Sequence, residues 1–140
     1  MTGHAQEMLD RLVDELRAGE DPDLTDPIWE SVFRHVPRHL FLAGFYVYTD
    51  VESDDPSKRK EYVDPASDPD RWLKLAYSDE VLVTRVGRDE KALSSCSMPS
   101  MVARFLQLLV VRDGDRVLEI GTGGPATTPR SCASGWERTT

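Results

Sequence analysis

Asparagine is absent from the 140 residues, isoleucine occurs only at Ile28 and Ile120, and arginine far outnumbers lysine. These scarce residue types have AT-rich codons, so the composition indicates a GC-rich gene. No apolar run approaches the roughly twenty residues that a membrane-spanning helix needs. The N-terminal segment also lacks the basic-then-apolar order of a secretory signal. The sequence therefore predicts a chain that is neither secreted nor embedded in a membrane.

Cysteine and histidine are also scarce. Cys96 and Cys132 lie far apart without the spacing of metal ligands, which favours a reducing, cytoplasmic setting. His35 and His39 have the separation of a helical metal-binding pair, but Pro37 lies between them and should end a helix. We therefore expect no metal site.

Positive charge is in deficit. The formal net charge is −8, whereas proteins that bind nucleic acid need a basic face for the phosphates. Hydrophobic residues make up 39% and charged residues 30%, which is typical of a small globular domain. The composition thus excludes nucleic acid as the expected partner and leaves a protein or peptide partner open. The oligomeric state is also left open.

Three segments have the patterns of helices. Residues 5–17 carry apolar side chains at helical spacing. A second helix should begin with Asp26 as its N-cap and Pro27 at its first position, and should stop at Pro37. A third, strongly apolar helix should begin at Pro99.

The remaining segments predict strands and loops. Residues 39–48 are apolar and aromatic and should be extended, whereas residues 49–71 are polar and should form a surface excursion. Residues 81–86 are rich in β-branched side chains and predict a strand. Residues 94–97 are small and predict a loop, and residues 117–120 resemble a buried strand.

The last predicted strand runs directly into Gly121, Thr122 and Gly123. A helix, a tight turn, an apolar strand and a glycine loop in series are typical of the opening of a nucleotide-binding α/β unit. Glycine lets the backbone approach a ligand closely, and Glu119 is placed to orient the loop or to accept a hydrogen bond. The pattern is equally compatible with an ordinary turn after a strand, with Glu119 as a strand-end charge.

Four segments carry a resemblance to a known family. The segment VLEIGTG (117–123) is similar to motif I of class I S-adenosylmethionine-dependent methyltransferases. Upstream, VPRHLFL (36–42), AYSDEVL (76–82) and SSCSMPSMVARFLQLL (94–109) resemble, in order, signature segments of the protein-L-isoaspartate O-methyltransferase family. The resemblance covers about residues 25–123.

The resemblance implies an α/β fold, with an N-terminal helical region and the first strand of a Rossmann-like methyltransferase sheet. Residues 1–98 would form the helical, substrate-side region, and residues 99–123 would begin the domain that binds S-adenosyl-L-methionine. The family transfers a methyl group to a side-chain carboxylate, most often of an isoaspartyl residue in a damaged protein. Ser97 matches the family serine that binds this carboxylate, and Gly121, Thr122 and Gly123 match the cofactor loop. Ser97 is alternatively a cap for the helix that begins at Pro99.

The sequence departs from the family at Leu93 and Ser94, where the family has Gly-Gln. This departure leaves the acceptor open between an isoaspartyl protein and an aspartate in a ribosomally made peptide. A non-catalytic interaction fragment is a third possibility, with the helices at residues 5–17 and 26–36 as a docking surface.

The composition changes abruptly after Gly123. Residues 124–140 contain Pro125 and Pro129 and have no apolar stripe. One allowed set of codons for this tail, read two bases later, encodes GYNAALLCERLGAN, an amphipathic helix like the one that follows motif I in the family. We therefore expect residues 124–140 to be a frameshifted, disordered tail. The 140-residue chain should then be a truncated fragment that binds cofactor poorly.

Overall fold

The computed structural model of the protein describes residues 2–49, 52, 60–112, 114–118 and 120. Helices and one β-sheet together make this part of the chain α/β, as the sequence predicts. The helices are α1 (Thr2–Arg17), α2 (Pro27–His35), a 3-10 helix (Arg38–Phe41), α3 (Pro69–Ala76) and α4 (Pro99–Leu108). The strands are β1 (Phe45–Tyr48), β2 (Lys60–Val63), β3 (Leu82–Val86) and β4 (Ala92–Cys96).

The first two helices pack on each other and form the larger core. The side chain of Asp26 accepts hydrogen bonds from the Ile28 and Trp29 amides, which confirms the predicted N-cap of α2. The apolar stripe of α1 packs into this core, as its spacing predicts, with Met8 only partly buried, and Ala103 of α4 lies in the same core. The buried residues of α1 are Ala5, Leu9, Leu12, Val13 and Leu16.

The four strands form an antiparallel sheet in the order β2-β1-β3-β4. Its inner face supplies a second core, whose buried residues are Leu42, Phe45, Val63, Ala76, Leu82 and Cys96. Trp72 of α3 packs against both cores, so α3 joins the helical layer to the sheet. The sheet therefore holds the C-terminal end of α3 and the end of β4 close together.

Three sequence predictions for the middle of the chain are wrong in part. Residues 39–48 are not all extended, because the 3-10 helix at Arg38–Phe41 precedes β1. Residues 49–71 are not only a polar excursion, because β2 lies within them and α3 begins at Pro69. The expected loop at residues 94–97 is largely strand, because β4 pairs with β3 and the Thr84 and Ser94 hydroxyls lie 3.1 Å apart across the pair. Cross-strand pairing and burial outweigh the low intrinsic preference of serine for strands.

The predicted strand at residues 117–120 is not formed in the described part of the chain. Val117, Leu118 and Ile120 have irregular backbone and side chains that are 63%, 82% and 88% exposed. A parallel strand is stable only when neighbouring strands satisfy its backbone and cover both faces. The antiparallel sheet offers residues 117–120 no such position. Among the described residues, no helix has the length and apolar character to cross a membrane.

Candidate functional site

The side chain of Arg38 connects its own segment to two others through hydrogen bonds. Its Nη1 donates to the carbonyl oxygens of Ala76 (3.1 Å) and Ser78 (3.3 Å) at the end of α3. Its Nη2 donates to the Ser97 carbonyl oxygen (3.0 Å) and to Cys96 Sγ (3.2 Å) at the end of β4. A planar guanidinium presents several donors in a fixed fork, which a single ammonium cannot do. The segments at residues 36–42, 76–82 and 94–109 therefore meet around one side chain.

The N-terminus of α4 is capped from another segment. Met98 occupies the N-cap position and makes no side-chain capping bond. Instead the Ser100 amide, in a residue only 8% exposed, donates to Asp79 Oδ1 at 2.8 Å. A carboxylate at this end of a helix is also favoured by the helix dipole. The alternative that Ser97 is the helix cap is therefore wrong.

Ser97 lies between the end of β4 and the first turn of α4. It is half-buried, and Arg38 fixes its backbone through the carbonyl oxygen. Its hydroxyl makes no hydrogen bond to any other residue that the structure describes. A hydroxyl held near the positive end of a helix, with its donor uncommitted, is suited to bind an anionic oxygen.

An aromatic cluster lies beside the Arg38 site. His39 Nδ1 is 2.6 Å from the Tyr77 hydroxyl, and the His39 and Trp72 rings meet edge-on with centroids 5.9 Å apart. Burial lowers the pKa of the His39 imidazole and raises the pKa of the Tyr77 phenol to about 12. Both groups are therefore neutral near pH 7, and they hold the 3-10 helix against α3.

The predicted cofactor residues stay a prediction from the sequence. Glu119, Gly121, Thr122 and Gly123 lie outside the described residues. Only Ser97 of the predicted site residues has a described environment. Within the same part of the chain, no group of three or more histidine, cysteine, aspartate or glutamate residues is placed to hold a metal.

The comparisons with known proteins point to one family. The sequence model of protein-L-isoaspartate(D-aspartate) O-methyltransferase (PCMT) matches residues 55–129, which is more than half of the chain. The chain belongs to the protein-L-isoaspartate(D-aspartate) O-methyltransferase family. This result confirms the resemblance of its sequence motifs, and the enzymes of the family are methyltransferases. No solved structure matches the chain.

Curated relatives agree with this assignment. Protein-L-isoaspartate O-methyltransferase 2 of Archaeoglobus fulgidus is 32% identical over 117 residues, which are 84% of this chain and 37% of the relative. Protein-L-isoaspartate O-methyltransferase 1 of the same organism is 31% identical, over 83% of the chain and 36% of the relative. Protein-L-isoaspartate O-methyltransferase 2 of Anaeromyxobacter is 44% identical over 90 residues, or 64% of the chain and 32% of the relative. The chain thus spans about a third of the length of these relatives.

The sequence analysis identified the segments that meet at the site but missed two of their important residues. Arg38 and Asp79 are charged residues within the segments VPRHLFL (36–42) and AYSDEVL (76–82). A charged residue is buried only when it is paired or hydrogen-bonded, so an arginine directly after Pro37 was a detectable signal of an internal contact. Their actual partners, the Ser97 carbonyl and the Ser100 amide, are backbone groups that no residue pattern specifies.

Proposed function

We propose that this chain is the acceptor-side part of an S-adenosylmethionine-dependent protein carboxyl methyltransferase that acts on isoaspartyl residues. In this proposal, residues 1–98 form the acceptor side and residues 99–123 begin the cofactor domain. The observation that carries the proposal is the position of Ser97, whose backbone is held by Arg38 while its hydroxyl remains uncommitted among the described residues. Family membership supplies the reaction class.

The residues proposed to hold the cofactor have suitable chemistry. Glycine at positions 121 and 123 permits close backbone approach, and the carboxylate of Glu119 complements a hydrogen-bond donor of the cofactor. When bound, S-adenosyl-L-methionine supplies a methyl group on a sulfonium sulfur, and the transfer of this methyl group requires no proton transfer. The protein therefore has to align the acceptor carboxylate with the methyl group and to exclude water. It does not have to provide an acid or a base.

In the proposed mechanism, the Ser97 hydroxyl donates a hydrogen bond to one oxygen of the acceptor carboxylate. The other oxygen would then be free to accept the methyl group that the cofactor would supply when bound. Arg38 does not touch the acceptor but holds the Ser97 backbone at the correct position. Asp79 accepts a hydrogen bond from the Ser100 amide and so fixes the first turn of α4. In the proposed mechanism, this turn determines where the Ser97 hydroxyl points.

The substitution Ser97→Ala tests the role of this hydroxyl. A suitable enzyme is a chimera in which this chain replaces the matching segment of the Anaeromyxobacter relative. Loss of a hydrogen bond to a charged carboxylate should cost about 1.5–3 kcal/mol, which is a loss of roughly tenfold to a hundredfold in rate. Because Ser97 caps no helix, the melting temperature should not change. An unchanged rate at saturating cofactor and peptide would contradict the proposed role.

A second acceptor is favoured by one specific observation. Leu93 occupies the position of the family glycine, lies on β4 four residues before Ser97, and is 62% exposed. An exposed apolar side chain on the strand that leads to Ser97 would contact a more distant residue of a peptide substrate that lies along β4. An aspartate within a ribosomally made peptide is therefore the alternative acceptor, and a panel of isoaspartyl and aspartyl peptides distinguishes the two.

The docking surface expected for a non-catalytic interaction fragment is not exposed on α1 and α2. The apolar side chains of α1 are buried in the core rather than presented to a partner, and Trp29 of α2 is only 7% exposed. Ile28, at 70% exposed, is a single apolar residue on that surface, which is ordinary for a folded protein. The packing of α1 and α2 thus supports a structural role for these helices.

A further inference from the structure

The phenol hydroxyl of Tyr77 is taken out of water and given a specific partner. Among the described tyrosines only Tyr77 lies in a core, at 6% exposed, whereas Tyr48 and Tyr62 are 56% and 50% exposed. Burial of a hydroxyl is costly unless the hydroxyl is hydrogen-bonded. The partner of this hydroxyl is His39, whose Nδ1 lies 2.6 Å away. Tyr77 therefore contacts the 3-10 helix through a polar group as well as through its ring.

The 3-10 helix meets the end of α3 through two consecutive side chains. Arg38 donates to the carbonyl oxygens of Ala76 and Ser78 at 3.1 and 3.3 Å, and His39 is hydrogen-bonded to the side chain of Tyr77 between them. Three consecutive residues of one segment thus contact two consecutive residues of the other. A shift of the 3-10 helix along α3 would break both sets of contacts together.

The 3-10 helix depends on these contacts because it has little packing of its own. None of its four residues is buried, and Phe41 is only partly buried against the second core. The Leu40 and Leu42 amides donate to the carbonyl oxygens of Pro37 and His39 at 3.0 and 3.1 Å, and hydrogen bonds of a short 3-10 turn have poorer geometry than those of an α-helix. The side-chain contacts with α3 therefore determine where this helix lies.

Arg38 connects this arrangement to the site, because its Nη2 donates to the Ser97 carbonyl oxygen at 3.0 Å. We propose that Tyr77 is a positioning residue for methyl transfer, whose hydroxyl holds His39 and the 3-10 helix on α3 and thereby sets where Arg38 holds Ser97. Tyr77 acts through Arg38 rather than by contact with the acceptor. The effect on the reaction rate rests on the proposed function, whereas the effect on the 3-10 helix does not.

The first measurement follows the 3-10 helix in the 140-residue chain. Tyr77→Phe removes the hydroxyl and keeps the ring. Amide hydrogen exchange of Leu40 and Leu42, measured by NMR, should become about two- to tenfold faster relative to the amides of α1, as expected for the loss of one hydrogen bond. Tyr48→Phe is the matched control, because it removes a hydroxyl from an exposed tyrosine of β1.

Two exchange results would overturn the proposal. The first is exchange of Leu40 and Leu42 that is no faster in Tyr77→Phe than in Tyr48→Phe. The second is an equal increase throughout the chain, because Tyr77 would then contribute to general stability and not to the position of the 3-10 helix.

The second measurement asks whether Tyr77 acts through Ser97. In the chimera with the Anaeromyxobacter relative, Tyr77→Phe should lower kcat for the isoaspartyl peptide about two- to tenfold and change KM less. In the Ser97→Ala background, the same substitution should have no further effect, because the hydroxyl that Tyr77 positions is gone. A residue that only supports the fold would lower the rate by the same factor in both backgrounds, and that result would contradict the proposal.

The two measurements separate this proposal from the proposed function. A chimera that transfers no methyl group contradicts the proposed function, and the exchange rates of Leu40 and Leu42 still decide whether Tyr77 fixes the 3-10 helix. An active chimera whose kcat is lowered by Ser97→Ala but not by Tyr77→Phe contradicts the positioning role of Tyr77 alone.

Discussion

At the scale of single residues, Arg38 determines where Ser97 lies. Replacing Arg38 with methionine keeps the length of the side chain but removes the donors to the carbonyl oxygens of Ala76, Ser78 and Ser97. Unsatisfied buried carbonyls should lower the free energy of unfolding by about 2–4 kcal/mol. Urea unfolding of the 140-residue chain measures this loss.

The variant Arg38→Lys is the control for charge. Lysine keeps the positive charge but has one donor centre, so it reaches one of the segments and not both. We expect it to restore only a part of the lost stability. In the chimera, it should also lower the methyl-transfer rate more than the affinity for peptide, because Arg38 does not contact the acceptor. Equal stability of Arg38→Met and the unsubstituted chain would contradict the role given to this residue.

His39 predicts how stability depends on pH. Burial lowers its pKa below the ordinary value of 6.5, so the unfolded chain takes up a proton more readily than the folded chain. The stabilising contribution is therefore complete above pH 6.5 and is lost as the pH falls through the pKa of the unfolded state. The melting temperature should fall between about pH 7.5 and pH 5.5, and His39→Gln should make this dependence shallower.

The exposed His4 provides the matched control for this measurement. His4→Gln removes a histidine from the surface and leaves the partly buried His39 in place. The carboxyl groups with lowered pKa, such as Asp64 and Asp89, have ordinary values of 3.8 and titrate below this pH window. A pH dependence that survives in His39→Gln and disappears in His4→Gln would contradict the assignment.

At the scale of elements, Gln107 joins α4 to the connection between α1 and α2. Its Oε1 accepts from the Thr25 and Asp26 amides at 2.6 and 2.9 Å, and its Nε2 donates to the Asp23 carbonyl at 2.8 Å. Gln107→Ala leaves two backbone donors without this acceptor and should cost about 1–3 kcal/mol of stability. Gln6→Ala is the control, because exposed Gln6 makes only long hydrogen bonds of 3.3 and 3.4 Å. Equal losses in thermal unfolding of the two variants would contradict this account.

The sequence predicted the elements whose signals are local. Asp26 and Pro27 specified the start of α2, and Pro99 specified the start of α4. Asp68 and Pro69 carry the same signal for α3, and the Asp68 side chain accepts from the Arg71 amide. The surrounding charges nevertheless led to the prediction of a loop. The helix was therefore predictable from the residues that cap it.

The strands depended on distant partners and were predicted less well. β3 was found because its own side chains are β-branched, whereas β4 contains alanine, leucine, two serines and cysteine and is held by its pairing with β3. At the site, the choice of Ser97 came from the family motif alone. Its anchoring by Arg38 joins residues 59 positions apart and required the fold.

At the scale of the whole molecule, two cores share Trp72 and bring the three upstream motifs together. In the described part of the chain, Arg38 holds Ser97 between β4 and α4. The chain matches little more than a third of the length of its curated relatives. Under the proposed function, methyl transfer requires this part of the chain together with the rest of the domain.

The most direct test of this assignment is methyl transfer by the chimera with the Anaeromyxobacter relative. It is incubated with labelled S-adenosyl-L-methionine and with matched peptides that contain either isoaspartate or aspartate, and the 140-residue chain alone serves as the background control. The account predicts transfer to the isoaspartyl peptide at least about tenfold faster than to the aspartyl peptide, since a misplaced carboxylate loses its alignment. A folded chimera that binds the cofactor but leaves the isoaspartyl peptide unmethylated would contradict the account.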